Sequence, residues 1–139
     1  MTAELTQEVS DKLQSDHYGW LTTVAKSGQP VPKLVWFYFD GKDVIIYSEP
    51  GAAKVAHIKA RPRVSLNLDS NGNGAGVVAV GGEARIDAEG TNPLKDADYV
   101  AKYGELAKSF GFSEEFLSAY STRLKIDIDK VWTTPPEPQ

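Results

Sequence analysis

The spacing of apolar positions changes along the chain, and each change marks an element. Leu5, Val9 and Leu13 recur at every fourth position among good helix formers, and Thr6 is placed to cap. The spacing predicts a short amphipathic helix over residues 5–15. From Trp20 the pattern turns to that of strands. Trp20-Leu21-Thr22-Thr23-Val24 and the run Val31 to Phe39 are β-prone and flank the turn chemistry of Lys26-Ser27-Gly28-Gln29, which predicts a hairpin. Asp40-Gly41 supplies the next tight turn, into Val44-Ile45-Ile46-Tyr47-Ser48.

Residues 52–60 return to helical spacing with Val55 and Ile58, and Pro62 ends that helix by disfavouring helical geometry before it. Val64, Leu66 and Leu68 then share one face of a half-buried strand over residues 63–69. A Gly-rich stretch, Ser70 to Gly76, leads into a strand from Val77 to about Asp87, whose apolar start predicts burial on both faces. Helical patterning covers 96–108 and 113–120, with Ser113 as a cap, and a last strand from Leu124 to Trp132 alternates apolar with charged residues. Pro135, Pro136 and Pro138 cannot join a sheet. The expectation is one mainly β domain, an antiparallel six-stranded barrel with peripheral helices. Its parts are a helix at 5–15, barrel strands at about 20–87 and 124–132, a helical insertion at about 93–121 and a Pro-rich tail at 133–139.

Composition narrows the chemistry. The 139 residues suit a single core, and 15 Lys plus Arg against 19 Asp plus Glu, a net charge of −4, argue against a nucleic-acid surface. With no Cys, the chain has no thiolate nucleophile, disulfide or Cys-ligated metal, and with only His17 and His57 it has no multi-histidine site. The polar start, Met1 to Ser15, is unlike a signal peptide and no run approaches the roughly 20 apolar residues of a membrane span, so a cytoplasmic location is expected. Three Trp, six Tyr and five Phe either fill a small barrel or line something flat.

Hydrolysis has no Gly-x-Ser-x-Gly elbow to stand on, and His57 reads as a surface or helix-packing residue. Gly72-x-Gly74-x-Gly76 precedes a strand, where a dinucleotide fingerprint must open a helix, so it reads as a flexible connection. The segment Tyr47-Ser48-Glu49-Pro50-Gly51-Ala52-Ala53-Lys54 is different. It sets a hydroxyl at a strand end and a Lys in the first turn of a helix, where free backbone N–H groups and the helix dipole favour an anion; an ordinary turn with a solvated Lys is the competing reading.

The same residues carry a family resemblance. Trp20-Leu21-Thr22-Thr23-Val24, Gly28-x-Pro30, Lys33-Leu34-Val35-Trp36-Phe37, Asp40-Gly41, Ile46-Tyr47-Ser48, Gly51-x-x-Lys54 and Arg61-Pro62-Arg63-Val64-Ser65-Leu66 occur in the order and spacing of the pyridoxamine 5′-phosphate oxidase-like, FMN-binding split barrels. The Trp36-Phe37 version of the second strand resembles the subgroup of flavin/deazaflavin oxidoreductases that use coenzyme F420. The likeness spans about residues 18–87 and the closing strand at Lys130-Val131-Trp132, while residues 93–121 match nothing known for the family.

The resemblance implies a homodimer with cofactor clefts at the interface. It places Lys33 on the ring and phosphate side, Leu34, Val35 and Trp36 along the ring, Tyr47 and Ser48 on an aromatic–hydroxyl pair with Ser48 toward phosphate, and Lys54 on the phosphate. Val77 falls where a strand borders the cofactor, and Trp20, Trp36 and Trp132 either pack the core or line the cleft. The chain departs from the oxidase at Ala53, where a phosphate cation is missing, at Tyr38, and in lacking an Arg-rich signature near Trp132, so oxidation of pyridoxamine phosphate is not expected. Lys59, Arg61 and Arg63 either meet the polyanionic tail of a deazaflavin or remain solvated. The implied activity is hydride transfer from reduced F420, or FMN, to a conjugated small molecule. Catalysis then belongs to the cofactor ring, and no catalytic side chain is assigned. The alternatives are an FMN enzyme of the same fold, a non-enzymatic barrel binding flavin or haem, and a purely structural domain.

Overall fold

A computed structural model describes residues 3–134; the prolines at 135, 136 and 138 lie outside the described residues. Helix α1 (Gln7–Ser15) opens the chain, its first turn capped by the Thr6 hydroxyl, which accepts from the Val9 amide at 3.3 Å. Its buried Val9 and Leu13 close one end of the core. Seven antiparallel strands follow: β1 (Tyr18–Val24), β2 (Pro30–Trp36), β3 (Tyr38–Phe39), β4 (Asp43–Ser48), β5 (Arg63–Leu68), β6 (Val78–Ala88) and β7 (Thr122–Thr133). They form one curled sheet in the order β2-β1-β5-β6-β7-β4-β3, a split barrel. Helix α2 (Ala53–Ala60) joins β4 to β5, and α3 (Ala97–Ser109) and α4 (Glu114–Ser118) join β6 to β7 after a 3-10 turn at Pro93–Lys95.

Seven strands stand where six were expected, because the run from Val31 to Phe39 breaks at Phe37. The Tyr103 hydroxyl of α3 lies against the Phe37 amide at 2.8 Å, and Lys102 Nζ donates to the Phe37 carbonyl at 2.8 Å. Side chains from a helix 65 residues away in sequence thus replace the strand ladder there. Pro30 and Pro32 lie in β2, which is tolerated because β2 is an edge strand. The Asp40-Gly41 turn forms as predicted: Asp40 Oδ1 accepts from the Lys42 and Asp43 amides at 2.9 and 2.7 Å, with Gly41 at φ 98°.

Alternation assigns the two faces. Leu21, Leu66, Val80, Ile126 and Val44 point into the barrel and are fully buried. The apolar start of β6 is buried nearly throughout, and a bulge between Gly81 and Gly82 lets it follow β7 around the curve. A Cβ at Gly82 would lie 1.9 Å from the Asp127 carbonyl oxygen, so only Gly fits that crossing. Strand β4 is covered on both sides: Val44 and Ile46 face the interior, whereas Ile45 and Tyr47 face outward onto a second cluster with Tyr38, Tyr99 and Tyr103. Helix α3 therefore covers the outer face of β3 and β4. Among the described residues no helix is long and apolar enough to cross a membrane.

Candidate functional site

Two cavities meet at the end of β4. The first, about 440 Å³, runs along β2 beneath the α3–α4 segment. Its floor is Leu34, Val35 and Trp36 of β2 with Tyr47 of β4, and its wall is Tyr99, Phe110, Phe112, Phe116, Leu117 and Tyr120. The second, about 340 Å³, lies beside the first turn of α2 and is lined by Thr23, Val31, Lys33, Glu49, Ala52, Ala53, Lys54, His57 and Tyr120. Lys54 and Tyr120 belong to both.

The first cavity is built of rings. Trp36 stacks on Tyr103 at 4.6 Å and 5°, and from Trp36 a series of close rings passes to Phe112 (5.9 Å), Phe116 (4.7 Å) and Tyr120 (5.5 Å). The wall is pinned to the barrel through Asp96, the N-cap of α3. Asp96 Oδ1 accepts from the Asp98 and Tyr99 amides, while Oδ2 accepts from the Tyr38 and Tyr47 hydroxyls at 2.5 and 2.7 Å. Arg123 donates to the Tyr38 hydroxyl at 3.0 Å and pairs with Asp87. Burial opposes the charge on Asp96, but the bonds from Tyr38, Tyr47 and the Tyr99 amide, with Arg123 nearby, hold its carboxyl below the usual range.

The second cavity is cationic. Burial, and then the charge of Lys33, push the Lys54 ammonium down from its ordinary pKa, with Glu49 pulling partly back. Two lysines that repel each other thus lie beside the N–H groups opening an eight-residue helix, a setting whose dipole favours negative charge, with the Glu49 carboxylate in the same lining. No side chain caps α2 at Ala52. His57 Nδ1 lies 2.8 Å from the Thr23 hydroxyl, so it packs α2 against β1 while lining this cavity.

Of the residues singled out from the sequence, Leu34, Val35, Trp36, Tyr47 and Lys54 converge on the first cavity and Lys33 joins Lys54 at the second. Ser48 reaches neither. It shares the inward parity of Val44 and Ile46, is 1% exposed, and its hydroxyl donates to the Glu49 carbonyl at 2.9 Å. Val77 and Trp132 also lie outside both cavities: the Val77 amide donates to the Thr134 hydroxyl, and the Trp132 ring lies over Gly81. Arg61 donates to the Val24 carbonyl, Arg63 pairs with Asp129, and Lys59 stands 3.9 Å from Glu89. Sequence reasoning did not single out Tyr99, Phe110, Phe112, Phe116 or Tyr120. Tyr99, Phe116 and Tyr120 fell within the helical patterning at 96–108 and 113–120, which reads as helix packing until the fold aims it at the cavity, whereas Phe110 and Phe112 lie between those two stretches.

The family model for pyridoxamine 5′-phosphate oxidase matches this chain over residues 5–135. The chain belongs to the pyridoxamine 5′-phosphate oxidase family. Solved structures share its fold. An F420 reductase superposes with a TM-score of 0.70 at 20% identity, covering 92% of this chain and 98% of that one. General stress protein 26 from Bacillus anthracis str. Sterne gives 0.66 at 17% identity, covering 94% of each chain. HutZ, the haem storage protein from Vibrio cholerae, gives 0.64 at 13%, covering 95% of this chain and 96% of that one. No curated protein sequence matches the chain. These likenesses establish the oxidase-like barrel.

Proposed function

We propose that this member of the family is an oxidoreductase that holds coenzyme F420, or alternatively FMN, in clefts of a homodimer. The observation that carries the reading is the joining of a ring-lined cavity and a cationic cavity at Lys54 and Tyr120, a layout suited to a ligand with a flat ring and an anionic arm. Lys33, Lys54 and the opening amides of α2 would hold the arm, and the β2 floor would orient the ring. The net charge of −4 opposes an anion, so attraction must be local to those lysines. When bound, such a ring supplies the two-electron chemistry itself. The absence of a second cation at Ala53 favours F420 over FMN held in the oxidase manner.

A haem reading fits this lining less well. The ring-lined cavity has no His, Met or Cys, and the Tyr phenols that reach it are held protonated, with burial pushing Tyr99 up to about 12 and burial plus the bond to Asp96 raising Tyr47.

The homodimer is supported by a row across the outer face of the sheet. Leu34 pairs with Trp20, Trp20 with Asn67, Asn67 with Ala79, and Ala79 with Trp132, so these side chains share one face. Leu34, Trp20 and Trp132 remain 50%, 45% and 54% exposed. Three exposed apolar side chains in one row, with Asn67 between them, are what a partner surface would cover, and Leu34 belongs both to the row and to the first cavity. A second copy seated there would close the cavity mouth. Titration of the purified protein with F420 and with FMN, followed by absorbance and with mass measured by light scattering, should show a dimer that binds F420 more tightly. Binding of neither by a folded dimer overturns the reading.

A further inference from the structure

We propose that the Glu49 carboxylate is a charge filter in the cationic cavity, giving preference to a singly charged phosphate diester over a doubly charged phosphate monoester. The inference deepens the reading above by naming the class of anionic arm, and it rests on that reading only for the view that the arm belongs to a redox cofactor. The lining holds two ammonium groups, Lys33 and Lys54, and one carboxylate, Glu49, so its formal charges leave a single net positive charge. The other polar side chains add hydrogen-bonding groups rather than formal charge. Thr23 and His57 meet at 2.8 Å between hydroxyl and Nδ1, and burial, followed by the Glu49 charge, pushes the Tyr120 phenol up.

Glu49 is placed by its backbone. Its carbonyl accepts from the buried Ser48 hydroxyl at 2.9 Å and from the Ala52 amide at 3.2 Å, in the turn that leads from β4 into α2. That turn sets the carboxylate in one lining with Lys54, whose ammonium it pulls back up against burial and Lys33. A carboxylate among lysines subtracts from their hold on an anion, and a like charge beside a ligand is a means of rejecting the more highly charged competitor. The selection follows from scaling: attraction to the site grows in proportion to ligand charge, whereas the cost of removing the ligand from water grows with its square. With one net positive charge in the lining, the balance falls to the monoanion. A phosphate monoester loses its second proton at about pH 6 and so approaches a dianion at neutral pH, while a diester stays singly charged. FMN ends in a monoester, and F420 carries its arm through a diester. Glu49 is exposed and screened by solvent, so it sets a preference rather than a barrier.

The experiment uses the full chain and two probes that share one ring and differ in charge, phenyl phosphate and its methyl ester, at about pH 8, where the first is a dianion. Calorimetric titration of the unaltered protein should show the diester bound at least as tightly as the monoester. In Glu49→Gln, which keeps the size of the side chain and the backbone turn, monoester affinity should rise about tenfold and diester affinity about threefold. Glu83→Gln changes the net charge equally but lies outside both cavities, and should move neither affinity by more than about twofold. Equal gains for the two probes overturn the proposal, as do no gain, a loss, or binding of neither probe. A matching gain in Glu83→Gln assigns the effect to net charge and overturns it too. The predicted charge dependence without binding of F420 or FMN keeps the filter and removes the cofactor reading. Cofactor binding with probe affinities indifferent to Glu49→Gln does the opposite.

Discussion

The two cavities share Lys54 and Tyr120 but are built by opposite means. The cationic one is mostly local: Glu49, Ala52, Ala53, Lys54 and His57 come from one stretch, and Thr23, Val31 and Lys33 of the β1–β2 hairpin and Tyr120 come from elsewhere. The aromatic one is assembled at long range, with a floor from residues 34–47 and a wall from residues 99–120. Local sites depend on chain direction and charge, which tolerate small movements. A wall brought in from far along the chain depends on whatever fastens it. Here that fastening is concentrated in Asp96 and Tyr103, and the two cavities should therefore fail separately.

The largest effect is expected from Asp96→Ala. It removes the cap of α3 and leaves the Tyr38 and Tyr47 hydroxyls without their shared acceptor, while Arg123 keeps Asp87. A lost cap costs about 1 kcal/mol, and orphaned part-buried hydroxyls about 1 kcal/mol each, so a loss of about 3 kcal/mol in urea unfolding is predicted. Asp96→Asn keeps the capping oxygen and should lose roughly half as much. Inorganic phosphate binding, read by competition with FMN, should persist in both variants, since the cationic cavity does not contain Asp96. A loss below about 1 kcal/mol for the Ala variant would mean that the wall is fastened elsewhere.

This division also explains what the sequence disclosed. The strands from Trp20 to Leu68 were readable because alternation and turn residues act within a few positions, and Lys54 was readable because a helix start carries its own electrostatics. The break at Phe37 was not, since it is made by Tyr103 and Lys102 reaching back from α3. Nor was the role of Ser48 as an inward-facing residue, although the alternation of Val44, Ile46 and Ser48 contained it. Phe112 and Phe116 carried a visible spacing but no indication of the surface they would face. The packing of Phe112 against Trp36 of β2 supplied that, while pairing across the sheet brought Leu34, Trp20 and Trp132 into one row.

The next effect falls on the cationic side. Lys54→Ala should weaken cofactor binding on the order of tenfold by removing a charge-assisted contact to the anionic arm. Lys33→Ala should cost less, because Lys33 is exposed and screened by solvent. Affinity should also fall as pH rises toward the lowered pKa of Lys54, earlier than for an ordinary lysine, since the anion prefers the charged form. Equal losses at both lysines, or an affinity flat up to about pH 10, would place the anion elsewhere.

The smallest effect concerns the pH dependence of stability and tests the aromatic side alone. Burial pushes the Lys102 ammonium, beneath α3, down to about 8, with Asp16 pulling partly back. A base whose folded pKa lies below its unfolded value of about 10.4 destabilises the fold while charged, so stability should rise as pH climbs from about 8 toward 10. The tyrosines act in the reverse sense. Burial raises Tyr38 and Tyr99 to about 12, and Tyr47 and Tyr103 also move up, against an unfolded value of about 10. Their contribution is complete below about pH 10 and is lost above it, as the unfolded chain ionises first. Urea midpoints should therefore trace a dome with its maximum near pH 10. Lys102→Met should flatten the rising limb and leave the falling one, whereas a rising limb that survives in that variant would assign it to another group.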